Sequence, residues 1–356
     1  MISWKSKARQ PMPTGVMILA VAAAVGISAT NAGSRAATTS EGTTNTPVGT
    51  SARVNPAALL APATGPGKNG QIVFSSNAPR RLWVINTNGT GLRKLTVTKG
   101  RLNDVQPDWS PDGSKIAFER CPRDAGSCGL WRINADGTGL KRLHPCDCGM
   151  PAWAPNGKQL AATRGFGGIA NDQAKFTEIF VLNAAGGRLR QLTRVTSSSP
   201  YSANVDHPIW APDGRRLVFE IHNSRSGNPA GRRALFVINA DGSEQRQLTP
   251  WSLNGSDPDW SPDGKLILFR SVPGKEQHGN LYTVSADGSG LKQLTRYPSP
   301  KAVFTGSFSP DGKWITFTRY TLSGYPGVFV IKVNGTGLRQ VSKGNYDVEA
   351  DWGRAR

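Results

Sequence analysis

One pattern recurs along the chain and restricts the possible folds more than any bulk property does. An aromatic residue followed by a proline-containing turn appears as DWSPDG at 108–113, AWAPNG at 152–157, IWAPDG at 209–214, DWSPDG at 259–264 and SFSPDG at 307–312, with a truncated copy, DWG, at 351–353. The anchors Trp109, Trp153, Trp210, Trp260, Phe308 and Trp352 are 44, 57, 50, 48 and 44 residues apart. A period of that size suits one four-stranded unit. Short apolar runs follow the anchors, such as KIAFER at 115–120 and RLVFEI at 216–221. A further run ends in an Asp-Gly or Asn-Gly type of turn, as in LFVINADG at 235–242, and a segment such as LRQLT at 189–193 closes the unit. Proline presets φ at the second position of a type I turn, and the glycine that follows takes a left-handed conformation. The runs are short and rich in Val, Ile, Leu and Phe, so they read as strands, and no helix is expected after residue 68.

The ends fix the number of units. Residues 71–96 supply second, third and fourth strands with no preceding anchor, whereas residues 346–352 supply a first strand with nothing after it. Joined, they complete one unit and remove the open edges of a linear array. The chain is therefore expected to be all-β, a six-bladed β-propeller of four-stranded antiparallel blades, closed by its C-terminal strand joining the N-terminal three.

Pro-x-Trp-Ser-Pro-Asp-Gly, then Ile-Ala-Phe, Asn-Ala-Asp-Gly and Leu-Arg-Gln-Leu-Thr, resembles the TolB-like propeller repeat over about 290 of the 356 residues. The resemblance implies an extracytoplasmic scaffold that binds protein or envelope partners. No counterpart of the amino-terminal α/β domain of TolB is expected in this sequence.

Lys and Arg exceed Asp and Glu by 19, while a hydrophobic content of 37% is too high for a disordered chain. The excess points to an acidic partner or an anionic surface. Lys5, Lys7 and Arg9 precede an apolar run at 15–29 and small residues from Ser28 to Gly33. Those are the parts of a secretory signal, expected over 1–32 with cleavage near Ala32; an uncleaved anchor is the alternative. The run is shorter than the roughly 20 residues of a membrane span, so none is expected after cleavage. Residues 33–68, rich in Ala, Thr, Ser, Gly and Pro, read as a flexible linker before a propeller over 69–356. Export to the periplasm, the cell wall or the medium makes nucleic acid an unsuitable partner and leaves an envelope protein or an anionic cell-wall polymer. A monomer is expected.

In such a ring the tight Pro-Asp-Gly and Asp-Gly turns share one face, and the long second-to-third loops and interblade links share the other, where binding is expected. The residues three before each anchor, Gln106, Met150, His207, Asp257, Thr305 and Glu349, are placed at the channel mouth, with Asp104, Asp206 and Asp347 nearby. Carboxylates beside a histidine suit a cation or a basic peptide segment; equally, such groups satisfy one another and channel water. On the loops and links, Tyr201, Arg225, Arg232, Arg233 and Trp251 are candidates for contact with a partner. Arg93, Lys94, Lys141, Arg142, Arg190, Arg246, Lys292 and Arg339 are placed around the outer rim. Asp112, Asp213, Asp263 and Asp311 read as turn formers.

Cys121 and Cys128 flank one hairpin loop and are expected to pair, leaving Cys146 with Cys148, although three connectivities are formally open. A zinc site using these thiols and His144 is the alternative. No Gly-x-Ser-x-Gly elbow occurs, which argues against a serine peptidase. The expectation is a binding scaffold without cofactor; the alternative is a hydrolase or lyase acting on a glycan or lactone through a divalent cation at the channel.

Overall fold

The computed structural model describes residues 67–76, 79–97, 100–123, 126–166, 176–195, 203–223, 232–273, 279–298, 303–320, 324–344 and 346–356. The expected signal segment lies outside them, as does the expected linker apart from Gly67 and Lys68. No helix among the described residues is long and apolar enough to cross a membrane.

Six four-stranded antiparallel sheets form the ring. In the first blade the closing strand, Val348–Arg354, pairs with Asn69–Ser76, which continues to Arg81–Ile85 and Arg93–Lys94. The second blade runs through Leu102–Trp109, Lys115–Pro122, Gly129–Asn134 and Lys141–His144, and the third through Cys148–Trp153, Gln159–Phe166, Phe176–Asn183 and Arg190–Gln191. The fourth comprises Ala203–Trp210, Arg216–Asn223, Arg232–Asn239 and Arg246–Gln247, and the fifth Gly255–Trp260, Leu266–Ser271, Asn280–Ser285 and Lys292–Gln293. Val303–Phe308, Trp314–Tyr320, Pro326–Lys332 and Arg339–Gln340 make the sixth. Sequence reading overlooked one element, a 3-10 turn at Trp251–Leu253 between an extended Pro250 and a left-handed Asn254.

The turn chemistry is as expected. In each Pro-Asp-Gly turn the aspartate accepts the backbone N–H two residues on, from Ser114, Arg215, Lys265 and Lys313 at 2.8–3.1 Å. Phe74, Phe118, Phe219, Phe269 and Phe317, one from each of five second strands, are at most 1% exposed. Alternate residues on strands this buried face the two neighbouring blades, so the core is a set of interblade layers. Trp260 shows how they are built, packing on Val218, Leu235, Val237 and Leu248 of the blade before it.

Polar seams supplement this packing. Asp108 Oδ2 accepts the backbone N–H of Trp153 at 2.6 Å, Asp259 Oδ2 that of Phe308 at 2.6 Å, and Asp351 Oδ2 that of Trp109 at 2.9 Å. Each aspartate thus ties the inner strand of one blade to the anchor of the next. At the rim, Arg93, Arg190 and Arg246 donate to the carbonyls of Ala135, Ala240 and Ala286, Lys141 to that of Ala185, and Arg339 to that of Thr87. These rim cations reach into the hairpin of the following blade, and the outer strands they sit on are two residues long in five of the six blades. Short, charged edges of this kind resist sheet-to-sheet association.

Anchor packing is therefore expected to dominate the stability of the ring. Trp260→Ala should lower the unfolding free energy by about 3–5 kcal/mol, against about 1 kcal/mol for loss of the exposed Arg246 hydrogen bond. Urea denaturation of the two variants measures the difference.

Candidate functional site at the channel mouth

Every first strand is bulged three residues before its anchor. The register against the second strand shifts between Val105 and Asp108, Gly149 and Ala152, Asp206 and Ile209, Ser256 and Asp259, and Val303 and Gly306. In the first blade it shifts between Val73 and Ser75, opposite the closing strand. At five bulges the residue adopts positive φ: Gln106 (51°), Met150 (50°), His207 (51°), Asp257 (52°) and Glu349 (58°). Left-handed backbone is uncommon outside glycine and costs about 1–3 kcal/mol per residue. Repetition of this strained geometry around the ring brings all five side chains into one cavity of about 90 Å³ at the mouth. The side chain of Thr305, expected with them, lies outside the described set.

Carboxylates compensate the bulges. Glu349 Oε2 accepts the Gln106 N–H at 2.8 Å, Glu119 Oε2 that of Met150 at 3.3 Å, and Glu220 Oε2 that of Asp257 at 2.9 Å. Glu119 and Glu220 were not identified from the sequence. A signal was present, since each interrupts an apolar second strand at the same point, after Phe118 and after Phe219.

Charge is concentrated around His207. Its Nε2 lies 3.3 Å from Asp257 Oδ1 and its Nδ1 3.6 Å from Glu220 Oε1, while Arg233 Nε reaches Glu220 Oε1 at 3.4 Å. Burial alone would favour the neutral ring, but the charges of Glu220 and Asp257 outweigh it and push His207 up to about 10. Glu220, which burial would raise, is held at about 2 by His207 and Arg233. Burial and the nearby Glu349 raise Glu119 to about 7; burial and Glu220 raise Asp206 to about 6. Arg80 Nη1 closes the opposite side on Glu349 Oε1 at 3.0 Å.

One layer deeper, Asp108, Asp259 and Asp351 line both the mouth and the opening on the short-turn face. All three are shifted upward by burial, and Asp351 adds to the rise at Asp108 and Asp259. Sequence reasoning passed over them because each immediately precedes an anchor and resembled part of the turn motif.

Other candidates occupy different places. Asp104 is fully buried and ion-paired to Arg120, with Nε to Oδ1 at 2.5 Å, outside the cavity lining. Asp347 accepts the hydroxyls of Ser76 and Ser342, both at 2.5 Å. Neither sits at a bulge, so neither turns toward the channel. Arg233 belongs to the His207 network, and Trp251 is half-buried against Phe236, with centroids 5.9 Å apart, because the 3-10 turn folds it onto the blade. Arg232 is exposed, and Tyr201 and Arg225 lie outside the described residues. The long-loop face instead presents Tyr325 and Tyr346, 44% and 47% exposed, with ring centroids 4.8 Å apart. On the same face Cys121 is bonded to Cys128 and Cys146 to Cys148. These bonds engage the four sulfurs that the zinc alternative required.

No protein-family profile matches the chain. Part of it, 168 residues or 47% of its length, is 24% identical to the uncharacterized peptidase YuxL of Bacillus subtilis, and the match spans 21% of that relative. The propeller superposes on TolB from Acinetobacter baumannii with a TM-score of 0.62 at 16% identity, covering 80% of this chain and 66% of that one. It also superposes on Kuenenia stuttgartiensis hydrazine synthase with a TM-score of 0.66 at 16% identity, covering 82% and 47%. The chain has a TolB-like six-bladed propeller fold.

Two titrations test the electrostatics. His207 should remain protonated at pH 8, where His144 and His222, both shifted down by burial and nearby arginines, are neutral. Being raised above the unfolded value of about 6.5, His207 stabilises the fold fully below that pH and loses the contribution as pH climbs through about 10. Imidazole NMR reads the midpoint directly, and Glu220→Gln should lower it by at least a unit. Asp259 has the opposite sign: its raised value means that ionisation opposes folding. Asp259→Asn, which keeps an acceptor for Phe308, should raise the melting temperature at pH 7.5, by an amount that shrinks toward pH 4.

Proposed function

We propose that this chain is an exported, non-catalytic binding scaffold. Its long-loop face takes an envelope protein, and the channel mouth receives a cationic group of that partner. One observation carries the reading. In a chain of net charge +19, the mouth gathers Asp257, Glu349, Glu220 and Glu119 around a small opening. His207, Arg233 and Arg80 pair with Asp257, Glu220 and Glu349, whereas Glu119 forms no ion pair among the described residues. A carboxylate without a cation beside a small opening attracts a lysine, an arginine or an amino terminus. The exposed Tyr325–Tyr346 pair adds the aromatic surface that protein interfaces favour. Two disulfides beside the face suit an extracytoplasmic location, where such bonds persist. An anionic cell-wall polymer is the less suitable occupant of this mouth, because the carboxylates would repel it.

A second reading, a hydrolase or lyase using a divalent cation, is favoured by one observation. Donor atoms of His207, Glu220 and Asp257 lie within 4.8 Å of one another. A metal there would have to displace the proton that these same carboxylates hold on His207, since only the neutral imidazole ligates.

Fluorescence anisotropy of the whole chain with labelled hexapeptides, each carrying a single lysine or arginine among apolar residues, distinguishes the two. The scaffold reading expects saturable binding that weakens at least tenfold in Asp257→Asn and in Tyr346→Ala. Binding indifferent to both substitutions overturns it. Stoichiometric metal together with glycan or lactone turnover abolished by chelator would establish the enzyme instead.

A further inference from the structure

Arg132 breaks the blade pattern. It pairs across the sheet with Ala117, and the equivalent positions of the other blades hold Val84, Val181, Val237, Thr283 and Val330. Those five residues are at most 7% exposed, and the four valines pack in the interblade layers. A guanidinium cannot take such a place without water or an anion to solvate it. The second and third blades part here, on the short-turn face, around a cleft of about 720 Å³. Lys115 and Arg132 line it from one blade, Trp153 and Lys158 from the next, and Arg354 from the closing strand.

Four cations thus face a single carboxylate, Asp112, which is occupied by Ser110 and by the N–H and hydroxyl of Ser114. Among the described residues, none of Lys115, Arg132 and Lys158 forms an ion pair, and the buried Nε of Arg132 has no hydrogen-bond partner. The cleft's volume is in the range of small-ligand sites. Its forked guanidinium is suited to planar or tetrahedral oxyanions. A lone arginine in a position otherwise filled by apolar or small residues is a local breach of the fold's own rule, and such breaches mark function.

We propose that this cleft is a binding site for an oligomeric oxyanion, carrying phosphate or carboxylate groups, with Arg132 as the central contact. It is independent of the mouth, being of opposite charge and on the opposite face.

Isothermal titration of the whole chain with tripolyphosphate and with a uronate hexamer, each at 50 and 300 mM salt, tests it. The expected result is saturable binding of at least one probe that weakens with salt. Arg132→Val and Lys158→Ser, which install residues found at the equivalent positions of other blades, should each reduce affinity at least tenfold with an unchanged or higher melting temperature. The rim variant Arg246→Ser should bind as the parent does. Binding of only the phosphate probe or only the uronate identifies the ligand chemistry, and equal binding of both makes charge the basis of recognition. No binding of either, or parental affinity in Arg132→Val, overturns the proposal.

Discussion

Pairing of Val348–Arg354 with Asn69–Ser76 is the constraint on which the other features depend. Without it the chain would be a row of blades with two open sheet edges and one incomplete unit. With it, a single strand contributes Glu349 to the mouth, Asp351 to the carboxylate layer below and Arg354 to the basic cleft. Gly353 has a supporting role: a Cβ there would lie 2.5 Å from the Trp109 ring, so only glycine lets the strand settle against the second blade.

Closure also distributes charge. Carboxylates turn inward because the bulged and anchor N–H groups need acceptors, and an acid from a neighbouring blade is the nearest strong one. Lys and Arg collect at the rim and the short-turn face, where Arg93, Arg190, Arg246 and Arg339 tie one hairpin to the next. The result is a basic shell around an acidic axis, with its two candidate sites on opposite faces. Both proposals follow from that polarity.

How much of the mouth was legible depended on periodicity. Gln106, His207, Asp257 and Glu349 could be found by counting back from the anchors, because a bulge repeated in every blade occupies a fixed offset. Asp104 and Asp347, expected near the mouth, instead hold Arg120 and the hydroxyls of Ser76 and Ser342, since proximity in sequence to a bulge does not carry a side chain across it. Glu119 and Glu220 come from second strands and reach a neighbouring blade, a relation between residues 31 and 37 positions apart that no local pattern encodes.

Repetition by itself determined the blade, the number of blades, the closure and the turn chemistry, because each unit must bury the same apolar faces with the same short connections. The two disulfide pairings were legible for a related reason, the hairpin bringing Cys121 beside Cys128. Tertiary structure alone decided which departures from the repeat matter. His207 is shifted toward its charged form because Glu220 of its own blade and Asp257 of the next converge on it. Arg132 acquires meaning only once its equivalents are superposed and a cleft opens between two blades. Local sequence fixes backbone conformation and face, whereas charge and exposure are set by what the ring brings alongside.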